Sequence, residues 1–494
     1  VAWALGYLAL AALLQFRIVS IPYDADTAYH VAVGRLIREH GILREFPWTP
    51  FSWLADHYAD KELLFHLLFV PLAEIDWITA ARTVGTLTGA GALLALYLVL
   101  RAEGVRFAGV WAALPLLASD VFLFRFALVR PHLLSLALAP IVLWAAARGR
   151  LAFLAVASFA YPWAYVAWQL PVVLAGLAEL SRLLSREPLR WRTLAVAAGA
   201  VAFGVALHPN GLNLVRFNWI VLVEVLFRHA WGGGEVLDLG DEFLPFTPAQ
   251  WVRWLLASLA LAVAAAALAW RARRTGSVPL AFALGALAFG ALTLRTARFA
   301  EYFVPFSVAA FAVASRTVRW KPLLPAVAAA CLAYAGKPAL ETLEGLGAKE
   351  ERTPTALAAW LQARIPPGAQ VFTCGWGHTG TLMLALPERR FLVALDPTLM
   401  YVKDPDLYRR WMRLQREAPP GLAREIRERF GASFVICFWE EWLRAFSDRI
   451  AFEPGVRTLL LTEYWNVYDL GGASPGDPVP PGTGSPAPTP AAPR

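Results

Sequence analysis

Between Val1 and Gly336 the chain is cut into apolar blocks of Ala, Leu, Val and Phe, separated by short polar or basic segments. Such blocks lie near 1–21, 82–100, 107–123, 132–147, 151–166, 167–180, 193–207, 250–270, 278–294, 302–315 and 322–337. Lipid accepts a backbone only when its polar groups bond within one element, so the pattern predicts a polytopic helical membrane protein. Overall, 58% of the 494 residues are hydrophobic and 17% charged, against roughly half and a quarter in soluble domains. The first block has no small-residue cleavage site after it and reads as a first span, not a signal peptide.

The connecting segments are of two kinds, and they alternate. Arg101–Arg106, Arg148–Arg150, Arg182–Arg192, Arg271–Arg274 and Arg316–Lys321 are short and basic. Tyr23–Lys61, Arg125–His132, Tyr161–Tyr165, His208–Gln250 and Arg295–Tyr302 are mixed, aromatic and polar. The positive-inside rule places the basic set in the cytoplasm and predicts about eleven spans with the C-terminal part outside. This requires 62–77, which carries Pro71, to be a re-entrant or interfacial helix. The arginine excess behind the net charge of +8 lies largely in those loops, so it makes no case for nucleic acid.

The predicted domains are a membrane domain over 1–337, with its first outer loop at 23–61, and an α/β domain over 341–470. In the latter, strands at 370–374, 391–395, 433–437, 458–462 and 466–470 alternate with helices, suggesting a largely parallel sheet. Gly375–Gly380 reads as a tight turn before it reads as a nucleotide loop. Cys331, Cys374 and Cys437 lack metal-ligand spacing; Cys374 and Cys437 could pair, but buried free thiols are the preferred reading. The Pro/Gly/Ser/Ala tail, 471–494, has nothing with which to build a core and is expected to be disordered.

The chemistry-bearing segment is the first outer loop. Asp26 suits the N-cap of a helix running to about His40, and Asp26, His30, Val33 and Ile37 then share a face. Capping alone would explain Asp26. Asp24 precedes it, and Asp60-Lys-Glu62 follows at the loop's end. The same predicted outer face collects Asp120, Arg125, Arg130, His132, His208, Asn210, Arg216, Arg295 and Arg298. Snorkelling at span ends would account for single arginines. Together, guanidiniums and carboxylates near membrane depth suit an anionic, lipid-anchored phosphate. Asp24 or Asp26 would act as general base or, with Asp120, hold a divalent cation.

These motifs are similar to those of the GT-C superfamily, which includes protein O-mannosyltransferases, aminoarabinose transferases and oligosaccharyltransferase catalytic subunits. The likeness is carried by Asp24-Ala-Asp26-Thr-Ala-Tyr-His30, Gly41-Ile-Leu, Thr49-Pro-Phe-Ser52, Lys61-Glu62-Leu-Leu64, Arg130-Pro-His-Leu133, His208-Pro-Asn-Gly211 and Arg295–Phe299. It is nearest a poorly characterised bacterial group. Thr49 stands where that group has Asp, His208 where it has Asn, and Leu63 where it has Trp.

The resemblance implies a GT-C-like fold with an extracytoplasmic α/β domain in a bacterial inner membrane. It implies a polyprenyl-phosphate-linked sugar as donor, a lipid, glycan or protein as acceptor, and in some members magnesium or manganese. It maps the catalytic or metal-binding acid to Asp26 or Asp24, with Glu62 supporting and His30 orienting or sharing protons. Arg130, His132, His208, Asn210, Arg295 and Arg298 are the expected donor-phosphate residues. A transporter or flippase of lipid-linked sugars, or a non-catalytic envelope scaffold, are the rival readings.

Overall fold

The computed structural model describes residues 1–21, 25–235, 237–316, 318, 322–349 and 355–471; Asp24 and the 472–494 tail lie outside the described residues. It divides into two units. One joins Val1–Pro22 to Asp60–Lys349, and the other joins Tyr23–Ala59 to Glu350–Arg494.

The first unit is helical. Trp77–Ala102 is its longest helix; Asp76 caps it by accepting from the Thr79 N–H at 2.9 Å. Among the described residues, three helices are long and apolar enough to cross a membrane: Trp77–Ala102, Ala297–Ala314 and Leu323–Gly347. Three sharply bent pairs raise this to six if each pair is one span. Ala2–Ile18, Leu151–Ala164 and Val278–Thr293 are shorter apolar helices. Small residues let the helices close on one another, so Trp3 packs on Gly109, whose carbonyl accepts from Tyr7 Oη at 2.8 Å. The stretch 107–123 is not one helix, because Pro115 and the extended Ser119 divide it into Ala108–Ala113, Pro115–Ala118 and Asp120–Ala127. Nor is 62–77 one helix. It forms a short turn, Leu63–Leu67, and a 3-10 turn, Val70–Leu72, with Pro71 inside the latter.

The second unit holds a four-stranded sheet of β1 (Val371–Cys374), β2 (Phe434–Phe438), β3 (Arg457–Leu461) and β4 (Trp465–Asp469), ordered β1-β2-β4-β3. Only β1 and β2 are parallel; the other two pairings are antiparallel, which overturns the largely parallel expectation. A three-residue link cannot carry a crossover, so β3 and β4 form a hairpin closed by Thr462. The expected strand at 391–395 reduces to a bridge between Gln370 and Arg390; Leu395 takes φ +61° and ends any extension.

Cys374 sits opposite Cys437 in the β1–β2 register and the two form a disulfide, which corrects the free-thiol reading. Residues 25–59 belong to this unit. The Ala25–His40 helix packs on the Thr379–Ala385 helix. Phe46 and Tyr58 are buried and stacked, Phe391 N–H donates to the Trp48 carbonyl at 2.7 Å, and Phe51 meets Phe430.

Candidate functional site

Two X-Pro steps shape the polar interior of the first unit. A proline disfavours helical backbone at the residue before it. At Arg130-Pro131 the helices Asp120–Ala127 and His132–Arg148 meet at 115°. At His208-Pro209 the helices Trp191–Leu207 and Gly211–His229 meet at 117°, with His208 extended at ψ 136°. The bends bring the ends of apolar helices, and the polar residues there, into the interior.

At the first bend a network forms. Arg125 Nη2 and Nε donate to Glu301 Oε2 at 2.8 and 3.3 Å, and Arg125 Nη1 donates to Glu242 Oε2 at 2.5 Å. Glu242 also accepts from Arg298 Nη1 at 2.9 Å and from Arg130 Nη1 at 3.4 Å. Tyr165 Oη donates to Glu301 Oε1 at 3.2 Å and accepts from Arg298 Nη2 at 3.2 Å. His132 Nε2 donates to the Arg125 carbonyl at 3.0 Å, so this ring anchors the end of the helix that carries Arg125. Glu301 is fully buried at its side chain. A buried ion is tolerated only when paired and hydrogen-bonded, and here both carboxylates are.

Three guanidiniums face two carboxylates, so the network keeps a net positive charge. Burial would push the Glu242 carboxyl up. The guanidiniums of Arg298, Arg125 and Arg130 overrule it and hold its pKa well below the usual carboxylate range. Arg130, Arg298 and His132 were legible candidates; Glu242, Glu301 and Tyr165 were missed. Glu301 had a signal, being an acid in the first turn of an otherwise apolar helix. Glu242 had none, because it lies in a long polar loop.

At the second bend lies a smaller buried group. Asp60 Oδ1 accepts from His66 Nδ1 at 2.8 Å and from the Glu62 N–H at 3.2 Å. The Asp60 N–H donates to Asn210 Oδ1 at 3.3 Å, and the Asn210 N–H to His208 Nδ1 at 3.1 Å. That bond fixes the His208 tautomer with its proton on Nε2, which is buried without a partner. Asp60, Glu62, His66, His208 and Asn210 are all buried, and Lys61 Nζ lies 3.4 Å from Glu62 Oε1. Glu62 and His66 each offer a ligand atom, within 4.8 Å of one another. The Asp60 contact is of the kind that sets ring orientation in a metal-ligating histidine. The two groups flank the end of one helix, where Trp163 meets the His208 ring at 5.0 Å and Tyr165 joins Glu301.

In the second unit, Asp26 is in the first turn of Ala25–His40 rather than capping it, and His30 is buried one turn on, edge to face with Tyr29. In the first unit, Asp120 has Arg253 and Glu341 as its charged neighbours and belongs to neither buried group. Arg295 is exposed and outside the network.

No protein-family model matches the sequence, and no curated protein matches it. Solved structures do. The archaeal oligosaccharyltransferase AglB from Archaeoglobus fulgidus, in complex with an inhibitory peptide and a dolichol-phosphate, aligns with TM-score 0.55 at 15% identity over 88% of this chain and 69% of its own. ArnT from Cupriavidus metallidurans, in the apo state, aligns with TM-score 0.55 at 13% identity over 95% and 98%. The arabinofuranosyltransferase AftD from Mycobacteria aligns with TM-score 0.54 at 16% identity over 95% of this chain and 42% of its own. The chain therefore has the fold of the GT-C glycosyltransferases that its first-loop motifs resemble.

Proposed function

We propose that this chain is a membrane glycosyltransferase. It takes a sugar from a polyprenyl-phosphate-linked donor and passes it, with inversion, to a lipid, glycan or protein acceptor at the outer face of a bacterial inner membrane. The supporting observation is the convergence of Arg125, Arg130 and Arg298 on a single carboxylate beside Tyr165. Guanidinium forks fixed in this way suit a phosphate that gains negative charge as the glycosidic bond breaks. Arg130 and Arg298 hold the donor phosphate, with Arg295 as an outer cation. His132, His208 and Asn210 shape the site.

Asp26 is the base that removes the acceptor's hydroxyl proton, and Asp24 precedes it in the same motif. His30 orients that carboxylate. A divalent cation, magnesium or manganese, would neutralise the leaving phosphate. In the first unit Glu62 and His66 suit such an ion, manganese better than magnesium given the imidazole. The Cys374–Cys437 disulfide supports an extracytoplasmic location for the second unit, since such bonds persist in oxidising compartments.

The test uses full-length protein in liposomes with undecaprenyl-phosphate-linked sugars. Asp26→Asn should lower transfer by about a hundredfold or more, with the unfolding midpoint unchanged. Full activity in that variant removes Asp26 from the mechanism. Sugar that crosses the bilayer without forming a new glycosidic bond overturns the transferase reading.

A further inference from the structure

We infer that Glu242 is a tethered stand-in for the donor's phosphate: it occupies the Arg125, Arg130 and Arg298 cradle between turnovers and is displaced when lipid phosphate binds. This rests on the proposed donor site and adds an internal competitor to it.

The geometry singles out Glu242. One carboxylate receives all three guanidiniums, on both of its oxygens, as a phosphate's oxygens would. The other acid of the network differs. Glu301 is buried at the start of a helix and is bonded by Arg125 and Tyr165, so it is fixed scaffold. Glu242 comes from a segment, 232–247, whose only regular structure among the described residues is the 3-10 turn Asp241–Phe243. Its side chain is 24% exposed.

No residue of Asp241–Phe243 is buried. The Leu244 carbonyl accepts from the Ala297 N–H at 2.9 Å, and the Phe243 ring lies 5.7 Å from the Arg298 guanidinium. The segment begins at Gly232-Gly-Gly234, where Gly233 sits at φ +71°, a conformation that costs glycine little and other residues more. Releasing the turn gives up few buried apolar contacts, whereas releasing Glu301 would strand a charge.

Charge makes the exchange even. A sugar phosphodiester carries one negative charge, as Glu242 does, so the donor replaces it without changing the balance. The monoester left after transfer carries up to two and would hold the cradle more tightly. A returning Glu242 competes with it and aids its release. An empty cradle of three guanidiniums would repel itself, which gives the resting protein reason to keep an anion there.

The experiment measures binding of undecaprenyl phosphate to full-length protein in detergent at fixed ionic strength. Wild type is compared with Glu242→Gln, Glu242→Asp and Arg298→Gln. With the internal competitor gone, Glu242→Gln should bind about tenfold more tightly. Glu242→Asp, one methylene short of the cradle, should fall between it and wild type. Arg298→Gln should lose binding. Equal or weaker binding by Glu242→Gln, with loss in Arg298→Gln, overturns the displacement and leaves the donor site standing. Unchanged binding in Arg298→Gln overturns the donor site and this inference with it. A readout on the wild type covers the case in which Glu242→Gln does not fold. Hydrogen exchange at the Phe243, Leu244 and Ala297 amides should quicken when undecaprenyl phosphate is added. Unchanged or slower exchange overturns the displacement.

Discussion

At the residue scale, the paired buried charges bear on stability. Arg125 binds both acids of its network, so Arg125→Leu leaves Glu301 without its guanidinium. It should destabilise the protein by about 3 kcal/mol or more, read as a lower unfolding midpoint in detergent. Arg295→Ala removes an exposed group outside the network and should stay within about 0.5 kcal/mol of wild type in the same assay. Glu242 gives a pH signature. A carboxylate whose folded pKa lies below its ordinary value contributes fully above the ordinary range, and that contribution is lost as pH falls through its lowered pKa. Between pH 7 and 3, wild-type stability should therefore fall more steeply below about pH 4 than that of Glu242→Gln. Parallel curves would mean the carboxylate is not held by those guanidiniums.

At the element scale, the X-Pro steps matter more than the helices they interrupt. Pro131 and Pro209 keep the preceding residue out of the helix, and the resulting bends set where Arg130 and His208 stand. Pro209→Ala lets the backbone at His208 turn helical and slides the Asn210–Asp60 contact out of register. Transfer should drop by about a hundredfold, the cost of an ångström-scale misplacement, while the unfolding midpoint barely moves. A midpoint that falls along with activity would show that the proline serves stability instead. These motifs were legible from the start as Arg-Pro-His and His-Pro-Asn. Their partners Glu242, Tyr165 and Asp60 were not read as partners, because each is an ordinary residue until the fold brings it to the bend.

At the scale of the whole molecule, the first loop changes allegiance. Residues 25–59 follow the first apolar helix in sequence, yet they belong to the unit formed by the C-terminal segment. Phe46, Tyr58 and the Ala25–His40 helix pack within it, and Lys403 reaches Asp56 at 2.6 Å. Expressed alone, 350–471 should bind hydrophobic dye and lack a cooperative transition. The same segment joined to 23–59 by a flexible linker should unfold cooperatively. Equal behaviour of the two would remove the loop from the folding unit. Within the unit, Cys374 and Cys437 are 63 residues apart in sequence. Removing the bridge by Cys437→Ala should cost about 2–4 kcal/mol of its stability.

What the sequence determined by itself was what periodicity and composition encode: apolar helical blocks, prolines that must break them, and acids and arginines placed at the block ends. Solvent and backbone sterics enforce these locally, whatever the rest of the chain does. Only the tertiary structure decided which ends meet. The antiparallel β2–β4 pairing, the Cys374–Cys437 bond, the fixed Glu301 and the captured Glu242 depend on contacts between distant segments. Such contacts leave no periodic trace in the residues that make them.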